Sequence, residues 1–292
     1  MSLIERALQK MNEKAQPNAA RRDVPQRRET LTSLSQALGD ATSRRVLINR
    51  TALQSEGLVP PEHQTRQIMQ QFRQIKRPLI ANAMRPANGQ GSQATQIMVA
   101  SALPGEGKTF TALNLALCLA QEKDLQVVLV DADVLKPQLS RVFGIEHESG
   151  LLDALRDNSL DPASIVRHTD VPNLAVVSAG HRTENTTELL ASSRMEQVAH
   201  ALGSARDRRI VVFDTSPLLL TTESQALANV AGQVVLVVRA ESTPQQTVMD
   251  AVTHLPNRGA VSLVLNQCIA ESQPASYYQQ GEGQGSAAAD EA

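Results

Sequence analysis

Residues Ala102-Leu103-Pro104-Gly105-Glu106-Gly107-Lys108-Thr109 match the phosphate-binding loop pattern A/G-x-x-x-x-G-K-S/T. The two glycines allow backbone dihedrals that are closed to other residues, so successive N–H groups can turn inward around phosphate oxygens. Lys108 supplies a positive charge for the β- and γ-phosphates, and Thr109 supplies a hydroxyl for Mg²⁺. The stretch predicts binding of a nucleoside triphosphate by Pro104, Gly105, Glu106, Gly107, Lys108, Thr109 and Phe110.

The sequence on either side of this loop fits the same interpretation. Residues 95–100 form a short apolar run typical of a buried strand, and residues 110–121 carry the apolar spacing of a helix. A helix that begins at the loop adds its dipole to the anion site. The alternative is a Gly-rich turn that precedes a helix by chance.

Apolar runs along the chain predict an α/β fold, a doubly wound and mostly parallel sheet of the P-loop NTPase type with helices on both faces. The runs alternate with helical stretches and lie at 95–100, 126–130, 173–178, 209–213, 233–238 and 260–265. Ligands of such folds bind at the carboxyl ends of the strands. The motifs of this chain fall at those ends.

The two ends of the chain differ in character from this core. Ser2 and Glu5 have the spacing of a capping box before a short apolar stripe. A second helical pattern runs from residue 63 to 84, and Pro78 should bend or end that helix. The predicted divisions are an amphipathic helix over 1–14, a flexible linker over 15–63, a P-loop domain over 64–269 and a disordered tail over 270–292.

Acidic side chains follow two of the predicted strands. Asp131 and Asp133 end the second strand, and Asp214 ends the fourth. One carboxylate can hold a metal ion through water, and another can orient or deprotonate an attacking hydroxyl. Capping of the next helix is the alternative for Asp214, whereas three acids around one anion site need a cation to coexist. Asn266, at the end of the last strand, could contact the base or serve as a turn residue.

Composition narrows the range of partners. Residues 1–80 hold 14 of the 28 Lys/Arg but only 7 of the 30 Asp/Glu, in scattered arginine pairs that lack aromatic neighbours. This favours a solvated linker over a nucleic-acid or membrane patch. No run reaches the roughly 18 apolar residues of a membrane span, and the start lacks the apolar run of a signal peptide. We therefore expect a cytoplasmic protein that reaches a membrane only through a partner, with Cys118 and Cys268 as reduced core thiols.

The motifs together resemble the cytoplasmic domain of bacterial tyrosine kinases, which act in exopolysaccharide synthesis and export. The resemblance rests on residues 104–109, on Asp131-Ala132-Asp133 and on Asp214-Thr215-Ser216-Pro217. Residues 1–8, 72–78 and 187–192 are similar to the exosortase-associated autokinase subgroup. The resemblance covers the first turn of the chain and then about residue 64 to the tail.

The resemblance implies roles for the acidic residues and for Mg·ATP. Lys108 and Thr109 would bind Mg·ATP, Asp131 and Asp133 would serve the metal and tyrosine activation, and Asp214 would complete the metal shell. The implied metal ligands are thus Thr109, Asp133 and Asp214, and the implied catalytic residues are Lys108, Asp131, Asp133 and Asp214. The resemblance also implies a homo-oligomer and a membrane polysaccharide co-polymerase, or chain-length determinant protein, as partner.

The chain departs from the family pattern in three places. Leu135 stands where Asp-x-Asp-x-Arg has its arginine, and Glu223 stands where the family often has Asp after the proline that follows its third motif. The oligomerisation motif E-x-x-R-x-x-R reads Gln70, Arg73 and Lys76, so its carboxylate is missing. The ring-shaped assembly of the family does not follow from this sequence.

The chain has only two tyrosines, Tyr277 and Tyr278, both in the predicted tail. The resemblance implies that this pair is phosphorylated, and the alternative is a docking pair for another protein. Two other functions stay open. A ParA/MinD-type positioning ATPase would carry a signature lysine five residues before Lys108, where this chain has Leu103. A non-catalytic ATP-binding regulator of a polysaccharide co-polymerase would use the N-terminal helix for docking.

Overall fold

A computed structural model describes residues 45–84, 93–203, 208–256 and 260–268. All of these residues belong to one unit of the chain, residues 45–292. The predicted N-terminal helix, the first part of the linker and the tyrosine-bearing tail lie outside the described residues.

The described unit is built on a seven-stranded sheet in the order β3-β4-β2-β5-β1-β6-β7. Neighbouring strands are parallel except for β3 and β4, which are antiparallel. The strands are β1 Gln96–Ser101, β2 Gln126–Asp131, β3 Arg167–His168, β4 Leu174–Val177, β5 Arg209–Asp214, β6 Gln233–Arg239 and β7 Val261–Asn266. The predicted mostly parallel sheet is confirmed, and the sequence missed only the two-residue β3, which is too short to carry a pattern.

Helices cover both faces of this sheet. Val127 and Leu129 of β2 pack into a core cluster with the second and third helices, whereas Val128 and Val130 pack against the fifth and seventh. The α-helices are α1 Arg50–Ser55, α2 Glu62–Ala83, α3 Lys108–Leu119, α4 Gln138–Val142, α5 Leu151–Arg156, α6 Thr186–Leu190, α7 Ser193–Gly203, α8 Thr222–Leu227 and α9 Gln245–Thr253. Short 3₁₀ turns occupy Gln93–Thr95 and Pro162–Ile165. The doubly wound arrangement is the one predicted.

The compact unit begins earlier than the predicted boundary at residue 64. Leu53 of α1 and Leu58 are buried in the same cluster as α3. Val46 pairs with the sheet edge, since its N–H donates to the His168 carbonyl at 2.8 Å and its own carbonyl accepts from Asp170 N. Residues 45–63 therefore belong to the domain instead of the linker. Their apolar side chains are too sparse to form a periodic pattern.

Helix α2 continues past Pro78, the residue expected to bend or end it. Pro78 lies inside the helix, which continues to Ala83 because Leu79 and Ala83 are buried in the core. Lys76, part of the match to the oligomerisation motif, is also buried, with Nζ 2.7 Å from Glu122 and donating to the Cys118 carbonyl at 3.0 Å. Its charge is thus engaged within its own chain.

Both cysteines are free, but they differ in environment. Cys118 is buried in α3, as predicted, and burial raises the pKa of its thiol. Cys268 is exposed, which corrects its assignment as a core thiol. It follows the edge strand β7 and lies beyond the packed part of the sheet.

Candidate active site

The P-loop joins the end of β1 to the start of α3. Gly105 and Gly107 have φ values of +77° and +94°, the left-handed region that glycine adopts without strain. Lys108 is the first residue of α3 and is 8% exposed. The strand, loop and helix predicted around the motif are therefore present, with the loop at the positive end of the helix dipole.

The Glu106 side chain is turned away from the phosphate side of this loop. It is 2% exposed, and its carboxylate accepts a hydrogen bond from the Leu103 N–H at 2.7 Å. The N–H of Arg239, the last residue of β6, and the hydroxyl of Thr243, which follows β6, both donate to its other oxygen. Only the backbone of Glu106 can therefore contact a nucleotide, whereas its carboxylate fixes the loop to the end of β6.

Two amide side chains at the end of β7 contact the same loop. Asn266 Nδ2 donates to the Glu106 carbonyl oxygen at 2.9 Å, and Gln267 Nε2 donates to the Gly105 carbonyl oxygen at 3.1 Å. A Cβ atom at Gly107 would lie 2.0 Å from Asn266 Nδ2, so this approach requires glycine. Sequence reasoning missed Gln267, because no local pattern marks it.

Asp131 and Asp214 lie side by side below the loop, in register on the adjacent strands β2 and β5. The Ser140 N–H and hydroxyl both donate to Asp131 Oδ2 at 2.7 Å. Among the described residues, Asp131 Oδ1 and both Asp214 oxygens are buried without a hydrogen-bond partner. Burial raises the pKa of Asp131 to about 7. Burial and then the neighbouring Asp131 raise the pKa of Asp214 well above its usual range, although Lys108 and the Thr109 hydroxyl oppose this.

Asp133 is the acid that faces the open cavity. The Ser216 hydroxyl donates to its Oδ1 at 2.7 Å, and the Lys136 N–H donates to the same oxygen at 3.1 Å. The cavity measures about 690 Å³, and Lys108 and Thr109 form part of its wall. Neither Asp131 nor Asp214 lines it. The three acids predicted to converge are therefore divided into one at the cavity wall and two beneath it.

A magnesium ion fits these residues only together with a nucleotide. Within the described ranges, no group of three or more His, Cys, Asp or Glu side chains could hold a metal ion. Mg²⁺ is commonly bound through one or two protein oxygens plus phosphates and waters. The unpartnered carboxylate oxygens of Asp214, next to Thr109, provide such oxygens, and Asp133 provides another at the cavity wall.

A second cavity flanks the P-loop on the β7 side. It measures about 770 Å³ and lies between α2 and β7, with Phe110, Thr111 and Asn266 in its wall. The two cavities thus lie on either side of the residues that begin α3. The cavity between α2 and β7 leaves room for a nucleotide base, and the cavity at Asp133 leaves room for a phosphoryl acceptor.

We expect Asp131→Asn to flatten the pH dependence of stability. Because burial raises the pKa of Asp131 to about 7 in the folded state, the folded chain retains a proton that the unfolded chain releases above its ordinary pKa. The protonated group stabilises the folded chain below pH 4, and this contribution is lost as the pH rises to 7. The free energy of unfolding falls by about 4 kcal/mol over that range, at 1.36 kcal/mol per pKa unit. Removing the charge of Asp131 also removes one of the causes that raise the pKa of Asp214.

Urea unfolding of the ligand-free protein at pH 5 and pH 8 measures this effect. The exposed Asp124→Asn variant is the control and should keep the slope of the unsubstituted chain. An Asp131→Asn variant that loses as much stability between the two pH values as the control would contradict the interpretation.

Comparisons with known proteins identify the family of this chain. A family model described as an AAA domain matches residues 94–257, more than half of the chain. Tyrosine-protein kinase YwqD of Bacillus subtilis (strain 168) is 37% identical over 155 residues, which cover 53% of this chain and 63% of that protein. The putative tyrosine-protein kinase CapB of Staphylococcus aureus is 29% identical over 65% of this chain and 83% of its own length.

Solved kinase domains share the fold. The VpsO kinase domain superimposes with a TM-score of 0.58 at 28% identity, covering 72% of this chain and 100% of that chain. The BceF tyrosine kinase domain gives a TM-score of 0.57 at 29% identity, over 82% of this chain and 90% of that chain.

The chain belongs to the AAA-domain family, whose P-loop defines a nucleotide-binding protein. Its resemblance to bacterial tyrosine kinases is confirmed by these relatives. The chain spans 63% of the length of the Bacillus relative and 20% of a kinase from Acinetobacter johnsonii. None of the helices in the described ranges has the length and apolar character needed to cross a membrane.

Proposed function

We propose that the protein is an ATP-dependent protein-tyrosine autokinase. It would transfer the γ-phosphoryl group of Mg·ATP to Tyr277 and Tyr278. The observation that carries this proposal is the cavity at the P-loop, where Lys108, Thr109 and an oriented Asp133 share one wall. The names of its relatives support the same chemistry, since YwqD and CapB are called tyrosine-protein kinases.

Each residue of the site would have a separate role in phosphoryl transfer. Lys108 would neutralise charge on the β- and γ-phosphates, and the loop N–H groups would hold the phosphate oxygens in place. Thr109 and Asp214 would hold Mg²⁺, with Asp133 nearby, and the ion supplies charge neutralisation between the phosphates when bound. Asp133 would accept the phenolic proton as the tyrosine oxygen bonds to the γ-phosphorus, while the bond from that phosphorus to the β-phosphate oxygen breaks and ADP leaves.

The length of chain that follows β7 allows the acceptor tyrosines to reach this site. Tyr277 lies eleven positions after Asn266, which contacts the P-loop, so the extended chain between them spans at most about 37 Å. A flexible coil of this length averages roughly 18 Å. Both lengths allow transfer within one chain or between two chains of a homo-oligomer.

The cellular setting belongs to the same proposal. One relative, from Rhizobium meliloti, is named succinoglycan biosynthesis transport protein ExoP and is 32% identical over 61% of this chain. We infer that this chain regulates exopolysaccharide synthesis or export. It would lie in the cytoplasm, peripheral to the inner membrane, through a membrane polysaccharide co-polymerase as partner.

An assay that measures ADP and phosphotyrosine together tests the proposal. The purified chain is incubated with Mg·ATP, alone and with the candidate membrane partner, and compared with Asp133→Asn and with the exposed control Asp124→Asn. We expect phosphotyrosine from the unsubstituted chain and the control, and a loss of about 10²-fold or more in Asp133→Asn. ADP without phosphotyrosine would favour the positioning ATPase, and nucleotide binding without turnover would favour the regulator.

A further inference from the structure

The side chains of two consecutive residues, Asn266 and Gln267, bind the P-loop from its outer side. We call this pair of amide side chains the amide clasp. Asn266 holds the carbonyl of Glu106, and Gln267 holds the carbonyl of Gly105, at 2.9 and 3.1 Å. Two successive peptide groups of the loop are thus fixed by residues that lie 160 and 162 positions further along the chain.

The clasp determines where the loop N–H groups point. The described residues contain no cis peptide bond, and in a trans peptide the C=O and the N–H point in opposite directions. Because the carbonyls of Gly105 and Glu106 face the clasp, the N–H groups of Glu106 and Gly107 face away from it. These are N–H groups of the kind that the loop pattern assigns to phosphate oxygens. A hydrogen bond accepted by a carbonyl also polarises its peptide and strengthens the N–H as a donor.

A second observation shows how closely the clasp approaches the loop. A Cβ atom at Gly107 would meet Asn266 Nδ2 at 2.0 Å, whereas one at Gly105 would meet nothing within 4 Å. The second glycine of the motif therefore serves two needs, a φ of +94° and space for the Asn266 amide. The motif and the end of β7 are complementary in shape.

We propose that Asn266 and Gln267 are positioning residues that aim the Glu106 and Gly107 N–H groups at the nucleotide phosphates. Their contribution is to phosphate affinity and does not depend on the base. The inference rests on the proposed nucleotide site, and it gives Asn266 a role other than the base contact or the turn that its place at a strand end allowed.

Titration calorimetry on the full chain tests the clasp with two probes, Mg·ATP and inorganic tripolyphosphate with Mg²⁺. The variants are Asn266→Ala and Gln267→Met, and the control is Ser262→Ala, an exposed position on the same strand. Gln267 is itself exposed, so its replacement leaves the core intact. We expect each clasp variant to lower the affinity for both probes by the same factor. This factor should be roughly two- to tenfold, the range expected for the loss of one neutral hydrogen bond. The control should bind both probes like the unsubstituted chain.

The outcomes separate the clasp from its alternatives. If Asn266→Ala weakens Mg·ATP and leaves tripolyphosphate unchanged, Asn266 contacts the base and the proposal is overturned. If neither clasp variant changes either affinity while Lys108→Met lowers both, the proposed role of the amide clasp is wrong and the proposed nucleotide site is retained. If Lys108→Met also has no effect, the nucleotide site itself fails.

Discussion

Lys108→Met is expected to lower phosphotyrosine formation by at least about a hundredfold, the usual loss when one charge-stabilising donor is removed from a transition state. Lys108 is the first residue of α3 and lines the cavity that also contains Thr109 and Asp133. It is 8% exposed, so its charge acts across little solvent. Methionine keeps most of the side-chain length and removes only the charge and the donors.

The matched control for this variant is Lys123→Met. Lys123 is exposed just beyond the opposite end of α3, roughly 18 Å along the helix axis from Lys108. The net charge changes equally in both variants. Initial rates of phosphotyrosine formation at saturating Mg·ATP compare them, and equal rates for Lys108→Met and Lys123→Met would contradict the role of Lys108.

Gly107→Ala is expected to abolish measurable nucleotide binding and to lower the melting temperature of the ligand-free chain. Two costs combine at this position, a φ of +94° that disfavours any Cβ atom and a contact of 2.0 Å with Asn266 Nδ2. Gly105→Ala has only the first cost, because its φ is +77° and its Cβ atom would meet nothing within 4 Å. The left-handed conformation costs about 1–2 kcal/mol in either variant.

Thermal melts with and without Mg·ATP measure both effects. Gly105→Ala should keep a nucleotide-induced rise in melting temperature. Its affinity for Mg·ATP should fall roughly 5- to 30-fold because of the cost of its backbone conformation. Adding Asn266→Ala to Gly107→Ala should restore part of the lost melting temperature, whereas the same addition to Gly105→Ala should restore none. Equal behaviour of the two glycine variants would show that the contact with Asn266 has no energetic weight.

Local patterns predicted the part of the site that is continuous in sequence. The run β1, P-loop and α3 is encoded within residues 95–121. Asp131 and Asp214 each end a strand after four consecutive apolar residues, and Asp133 follows Asp131 by two positions. Strands buried on both faces need such continuous apolar runs, so their ends can be read from the sequence.

Contacts between distant residues escaped prediction. The Glu106 carboxylate is bound by a hydroxyl 137 residues away, and Gln267 reaches a carbonyl 162 residues away. Lys76 turns inward because Glu122 and the end of α3 lie opposite it. Pro78 stays within a helix because the packing of Leu79 outweighs the lost backbone hydrogen bond. Each of these depends on tertiary packing that no sequence window contains.

Intact-protein mass spectrometry after incubation with Mg·ATP tests the central claim most directly. The chain contains Tyr277 and Tyr278 and no other tyrosine, so Tyr277→Phe/Tyr278→Phe removes every tyrosine acceptor while leaving the P-loop unchanged. We expect the unsubstituted chain to gain the mass of one or two phosphoryl groups, mapped by fragmentation to the tail, and the double variant to gain none. A double variant that gains the same mass, or an unsubstituted chain that hydrolyses ATP at full rate without any gain in mass, would contradict tyrosine autophosphorylation.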